Sequence, residues 1–220
     1  MATVAPQSRR RSQTPPTVIL HDVTWNHYEA MLGIVGERPI RVTYDQGTME
    51  LFMPSLGHEG DAYLLGRMVD MLTEELGISL MAGGTTTHKR QDLDKGAEPD
   101  QCYWFGENAR RIRGKRALDL NIDPIPDLVI EVDVTHGSLD RLRIFAALGV
   151  MEVWHSDGQS FRFLHLQTDG SYQPGATSRN FPGLQVLELA QFLEQGQTAD
   201  STAWIRSFRA FVRDQIVPRQ

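Results

Sequence analysis

Acidic side chains at alternating positions offer this 220-residue chain its clearest chemistry. In the run Asp127–Val134, reading DLVIEVDV, side chains alternate across a strand, so Leu128, Ile130, Val132 and Val134 share one face. The other face carries Asp127, Val129, Glu131 and Asp133. Carboxylates are seldom buried unless paired or bound to a cation. A solvated edge strand would explain them, but a helix and a second β-rich segment, MEVWH, follow at once. Such a strand–helix–strand unit makes a crossover that covers its first strand. A functional carboxylate cluster is therefore the better reading. A second acidic source is Glu98-Pro99-Asp100, in which both acids share a strand face and Pro99 marks an edge or strand start. If that strand pairs with Asp127–Val134, Asp100 and Glu131 converge. Two carboxylates, waters and a substrate phosphate are what Mg²⁺ or Mn²⁺ takes. Such an ion serves phosphodiester hydrolysis.

Several elements must position these groups. Thr24 is placed to cap a helix over Trp25–Leu32, and strands Ile40–Tyr44 and Thr48–Phe52 flank the turn Asp45-Gln46-Gly47. The longest helix spans about Glu59–Leu76, with Leu65, Met68, Val69 and Leu72 at helical spacing and Gly77 as its stop. Short strands are expected at Ser79–Ala82, Thr85–Arg90 and Glu98–Trp104, then a polar, irregular, arginine-rich loop over ENARRIRGKRALDLNIDPI. On the helix after the acidic strand, expected from about Leu139 with Ser138 as cap, Arg141 precedes Ile144, Phe145 and Leu148 by helical spacing. Arg141 thus lies on the sheet-facing stripe beside Glu131 and Asp133, and Arg143 points elsewhere. An ordinary strand–helix ion pair would look the same. A hairpin, Ser160–Leu166 with Gly170–Tyr172, a strand Pro182–Val186 and helices Leu189–Gln195 and Ser201–Gln215 complete the chain.

Composition narrows the classes. The hydrophobic share of 40% suits a globular protein, and no apolar run approaches the ~20 residues of a membrane span. The opening MATVAPQSRRRSQTPPTV lacks the apolar stretch of a secretory signal. One cysteine, Cys102, permits no internal disulfide and no thiolate-rich zinc site. These features point to a cytoplasmic protein of one domain over residues 18–217, with a flexible tail at 1–17. The net charge of −6 argues against coating nucleic acid by charge alone. His58-Glu59 is not a zinc-protease helix, since Ala62 stands where a second histidine belongs.

The order of a long helix after HE, a strand ending in EPD, then PDLVIEVD, a helix and GVMEVW resembles the Uma2 family of the PD-(D/E)XK endonuclease superfamily. The resemblance covers roughly Thr24–Leu166. It implies an α/β (α+β), restriction-endonuclease-like core: a central mixed sheet flanked by helices, with a C-terminal hairpin and helices. It also implies a Mg²⁺- or Mn²⁺-dependent endonuclease with DNA as partner. No membrane is expected from the composition, and a homodimer is one admissible assembly. Asp100 takes the motif's aspartate, Glu131 its second acid, and Glu59 the acid many members carry on the first helix. The superfamily's lysine belongs where this chain has Asp133; Arg141 matches the basic residue of the following helix. Arginine stabilises phosphate charge but does not serve as a base. A non-catalytic nucleic-acid-binding or regulatory module that keeps the fold is the alternative, and a hydrolase of small phosphate compounds a third reading.

Overall fold

Two sheets share the carboxylate-bearing region, where the sequence predicts one. The computed structural model describes residues 17–133 and 139–219. Most of the expected tail, Val134 and the turn at 136–138 lie outside the described residues. The first sheet has the order β1-β3-β2-β6-β5, all antiparallel, from β1 (Thr17–Leu20), β2 (Arg41–Asp45), β3 (Thr48–Phe52), β5 (His88–Arg90) and β6 (Lys95–Ala97). Helix α1 (Trp25–Val35) packs on it, and Tyr28, Val42, Tyr44 and Met49 form their shared core. Thr24 caps α1 as expected, and a two-residue loop joins β2 to β3. Gln46 and Gly47 there have φ of 45° and 88°. The primed turn needs both, and glycine makes the second inexpensive.

The second sheet is mixed, in the order β11-β10-β9-β8-β7-β4. Its strands are β4 (Leu80–Ala82), β7 (Gln101–Phe105), β8 (Leu128–Val132), β9 (Glu152–Ser156), β10 (Phe161–Leu166) and β11 (Tyr172–Gly175). Helix α4 (Arg141–Leu148) connects β8 to β9, which run parallel. Leu128, Ile130 and Val132 pack under α2 (Leu56–Leu76) and the C-terminal helices α5 (Val186–Gly196) and α6 (Ser201–Phe211). On the opposite face Val129 packs with Ile144, Phe145 and Val153. Both faces of β8 are thus covered, and every one of its residues is buried. Each such aliphatic side chain contributes about 1.5–3 kcal/mol by leaving water.

Four features differ from the sequence reading. A strand, β1, precedes the Thr24 cap. The polar stretch after β7 holds a helix, α3 (Gly106–Ile112), whose Ala109 and Ile112, three residues apart, are buried. No strand covers Pro182–Val186; the Gln185–Glu188 capping box starts α5 there, leaving an isolated bridge from Thr177 to Gln185. Asp140, not Ser138, caps α4 by accepting from Arg143 N.

Candidate functional site

The two sheets are joined through Glu98-Pro99-Asp100, and this link sets the site. Glu98 and Asp100 do not share a strand: Glu98 ends the first sheet's territory, accepting from Val42 N at 2.9 Å and Thr87 Oγ1 at 2.8 Å. Its role there is structural. Asp100 immediately precedes β7, whose Gln101 faces Ile130 across the antiparallel ladder. It lies close enough to Glu131 for the two carboxylates to act on each other. Asp100 Oδ2 accepts from Val132 N at 2.7 Å, fixing the carboxylate against the end of β8. Both acids are only 2% exposed.

The expected triple of carboxylates on β8 splits. Asp127, at the strand's other end, accepts from Phe105 N at 2.7 Å and Asn108 Nδ2 at 2.8 Å, and so ties α3 to the sheet. Asp133 stays near Glu131 and adds to the negative field there. Arg141 reaches this field from α4 as its helical phase requires: its Nε lies 2.8 Å from Glu131 Oε1, while Arg143 is exposed. The Arg141 guanidinium also sits 5.6 Å from the Phe52 ring centre, a cation–π contact.

Two buried residues join the cluster that alternation on β8 did not reveal. His58 is 1% exposed, with Nε2 3.2 Å from Asp100 Oδ2 and its ring 5.5 Å edge-on to Phe52. Its helical stripe continues through Ala62 and Leu65, both buried, and that spacing was the available signal. Glu59, one residue on, is turned about 100° away: it is exposed and pairs with Arg41 at 3.5 Å instead of joining Asp100. Glu50 is the second. It shares a face of β3 with Phe52, is 1% exposed, and accepts from Leu139 N at 3.4 Å. His155 lies beside Glu131 in the parallel β8–β9 register, buried, with its pKa lowered by burial and then by Arg162.

The electrostatics favour a cation. Burial pushes the pKa of Glu131 up to about 8; Arg141 opposes that shift, and Asp100 and Asp133 add to it. Burial works against the charge on Arg141, but Glu131, Asp100, Asp133 and Glu50 outweigh it and leave its pKa raised. Four carboxylates thus face Arg141, with Arg41 as a second guanidinium acting on Glu131. Asp100 Oδ1 and both Glu131 oxygens accept no hydrogen bond among the described residues. The Arg141–Glu131 pair is close without an N–H aimed at the oxygen. Buried acceptors without donors are costly. Among the described residues no three His, Cys, Asp or Glu side chains form a closed metal cage. Oxygens from two carboxylates, completed by water or phosphate, suit Mg²⁺, which seldom has an all-protein shell.

The family model described as "Uma2: Putative restriction endonuclease" matches residues 25–202, which include every one of these side chains. The chain belongs to the Uma2 family. Among solved structures, this Uma2 member is similar to one from Anabaena variabilis, described as "a putative nuclease belonging to DUF820". Identity is 15% over 76% of this chain and 90% of that one, with a TM-score of 0.46. No curated protein matches. No helix among the described residues is long and apolar enough to cross a membrane.

Proposed function

We propose that this protein is a divalent-metal-dependent endonuclease that hydrolyses DNA phosphodiester bonds. One observation carries the reading: Asp100 and Glu131 are buried beside each other where β7 meets β8, and Asp100 Oδ1 and both Glu131 oxygens meet no donor among the described residues. These two side chains would hold Mg²⁺ or Mn²⁺. When bound, the ion supplies a Lewis acid that activates water and neutralises charge on the scissile phosphate. Asp133 and Glu50 add negative potential that favours the ion over a bare phosphate. Arg141, packed on Phe52 and steered by Glu131, presents a fixed positive charge where the phosphate gains charge in the transition state. Arg41, held by Glu59, supplies a second. Glu59 therefore contributes through Arg41 and not as a metal ligand.

The superfamily's lysine position holds Asp133, and this favours a second reading: a nucleic-acid-binding module that kept the fold and lost turnover. Relaxation of supercoiled plasmid separates the two. Purified wild type should nick in Mg²⁺ or Mn²⁺, and Glu131→Gln should bind DNA yet leave it intact, because losing a metal ligand costs the transition state most. Wild type that binds but never nicks in Mg²⁺, Mn²⁺ or Co²⁺ would establish the binding module.

A further inference from the structure

Beside the carboxylate cluster, the amino-terminal turns of α2 border a cavity of about 640 Å³, within the range of small-ligand sites. His58 links the two places: it lines this cavity while its Nε2 lies 3.2 Å from Asp100, and its Nδ1 has no hydrogen-bond partner among the described residues. The wall is unusually bare. Gly57 and Gly60 line it, and a Cβ at either would meet nothing within 4 Å. On the same wall Leu64 supplies an apolar surface, and Tyr63 stands 56% exposed with the Arg67 guanidinium 5.9 Å from its ring centre.

The polar groups sit at one rim. Gln197 donates from Nε2 to Asp61 Oδ1 at 3.0 Å, which orients the amide and carboxylate side by side. Such a pair presents acceptors and a remaining N–H in the pattern that reads a base edge. Burial raises the Asp61 pKa, against the Gln197 hydrogen bond, so a donor from a ligand would be welcome there. A second groove of about 420 Å³ adjoins the first, sharing Asp61, Gly158 and Gln197 and reaching Ser156 at the end of β9. The positive end of α2, a helix of 21 residues, opens on the cavity and favours an anion at its mouth. Asp61 makes the interior itself a poor phosphate site. Together, a flat aromatic, an apolar wall, a hydrogen-bonding rim and an anion-favouring mouth match a nucleotide with its base inside and its phosphate outside.

We infer that this cavity is a nucleobase-binding subsite that takes an unstacked base of a single-stranded or locally opened nucleic acid, with Tyr63 as stacking surface and Asp61 and Gln197 as the groups that read its edge. The inference rests on the nuclease reading for its role: a base held there sets its flanking phosphodiester beside His58 and Asp100. It follows that the substrate is an opened strand in preference to closed duplex, and that the subsite governs which base flanks the cut.

Binding in the absence of divalent ions tests this apart from cleavage. The full chain in EDTA would be titrated by fluorescence anisotropy with a short single-stranded oligonucleotide, its abasic sugar–phosphate counterpart, a closed duplex and free nucleoside monophosphates. Gly60→Leu fills the cavity without a clash at Cβ and improves helix propensity, so it should fold with an unchanged or higher melting temperature. Wild type should bind the intact strand about tenfold or more tighter than the abasic one, the scale of stacking a single base. Gly60→Leu should erase that difference, and Tyr63→Ala should reduce it. Saturable binding of a mononucleotide, lost in Gly60→Leu, would support the site and name the free nucleotide as its occupant. Equal affinity for intact and abasic strands, or a well-folded Gly60→Leu that binds like wild type, would overturn the inference, whatever the nicking assay gives. Absence of nicking with base-dependent binding intact would instead remove the nuclease reading and leave the subsite standing.

Discussion

Replacing Glu131 by glutamine in the metal-free protein is expected to flatten the dependence of stability on pH. Burial lifts the Glu131 pKa from 4.5 to about 8 in the folded state. Between those two values the native protein keeps a proton that the unfolded chain has lost. Stability must therefore fall as pH rises through that window, by at most about 1.4 kcal/mol per pH unit. From about pH 5.5 to about 7.5 the ceiling is roughly 3 kcal/mol. The value of about 8 already includes the opposing charge of Arg141, at 2.8 Å, and the loss tapers as the pH nears it, so the observed change stays below that ceiling. Glutamine imitates the neutral acid in shape and cannot lose the proton. Histidines buried in the neutral form, His88 with its pKa lowered to about 4 and His155, act in the opposite sense, costing stability as pH falls. They are common to both proteins, so the difference between the two profiles isolates Glu131. Urea unfolding in EDTA at several pH values should show the wild type losing ground to Glu131→Gln steadily as pH rises. Adding Mg²⁺ should restore the wild type alone, since a cation favours the charged acid. Parallel profiles would refute the assignment of the buried titrating group.

Three further outcomes are expected. Arg141→Lys should retain part of the nicking activity, whereas Arg141→Ala should abolish it at a stability cost below the ~3–5 kcal/mol of a broken buried pair, because Glu131 already holds a proton at neutral pH in the metal-free protein. Arg143→Ala should match wild type in both readouts; equal losses at the two arginines would mean the helix phase is misassigned. Glu59→Gln should change stability by no more than about 1 kcal/mol, as an exposed ion pair implies, and a melting temperature drop beyond that scale would place Glu59 in the buried network. Glu152 is fully buried and accepts from Trp154 Nε1 and from Arg179 N, Asn180 N and Asn180 Nδ2. Glu152→Ala strands these donors and should cost about 3 kcal/mol or more in urea unfolding, while leaving metal-induced stabilisation in place.

Local patterns in the sequence reached the centre of the site and stopped at its walls. Glu131 and Arg141 were legible because period-two and 3.6-residue spacing place them, and Asp100 because Pro99 marks where its strand begins. The same helical spacing marks His58, through Ala62 and Leu65, whereas Glu59 is singled out only by the family resemblance. Glu50 and Arg41 depend on how the first sheet meets α4 and the end of β8, a long-range relation that alternation does not encode. Short elements that bury little carry a weak local signal for a similar reason: β1 has four residues, all exposed, and α3 buries only Ala109 and Ile112. The division into two sheets turns on Glu98-Pro99, where one continuous extended run belongs to two different ladders.

The central claim is that Asp100 and Glu131 together form a cation site, and Mn²⁺ titration followed by calorimetry tests it most directly. Wild type should bind one ion with release of protons at neutral pH, because Glu131 must ionise to take part. Asp100→Asn keeps an oxygen that can accept from Val132 N, so it should fold normally and yet lose that binding. Undiminished Mn²⁺ binding by a folded Asp100→Asn would contradict the account.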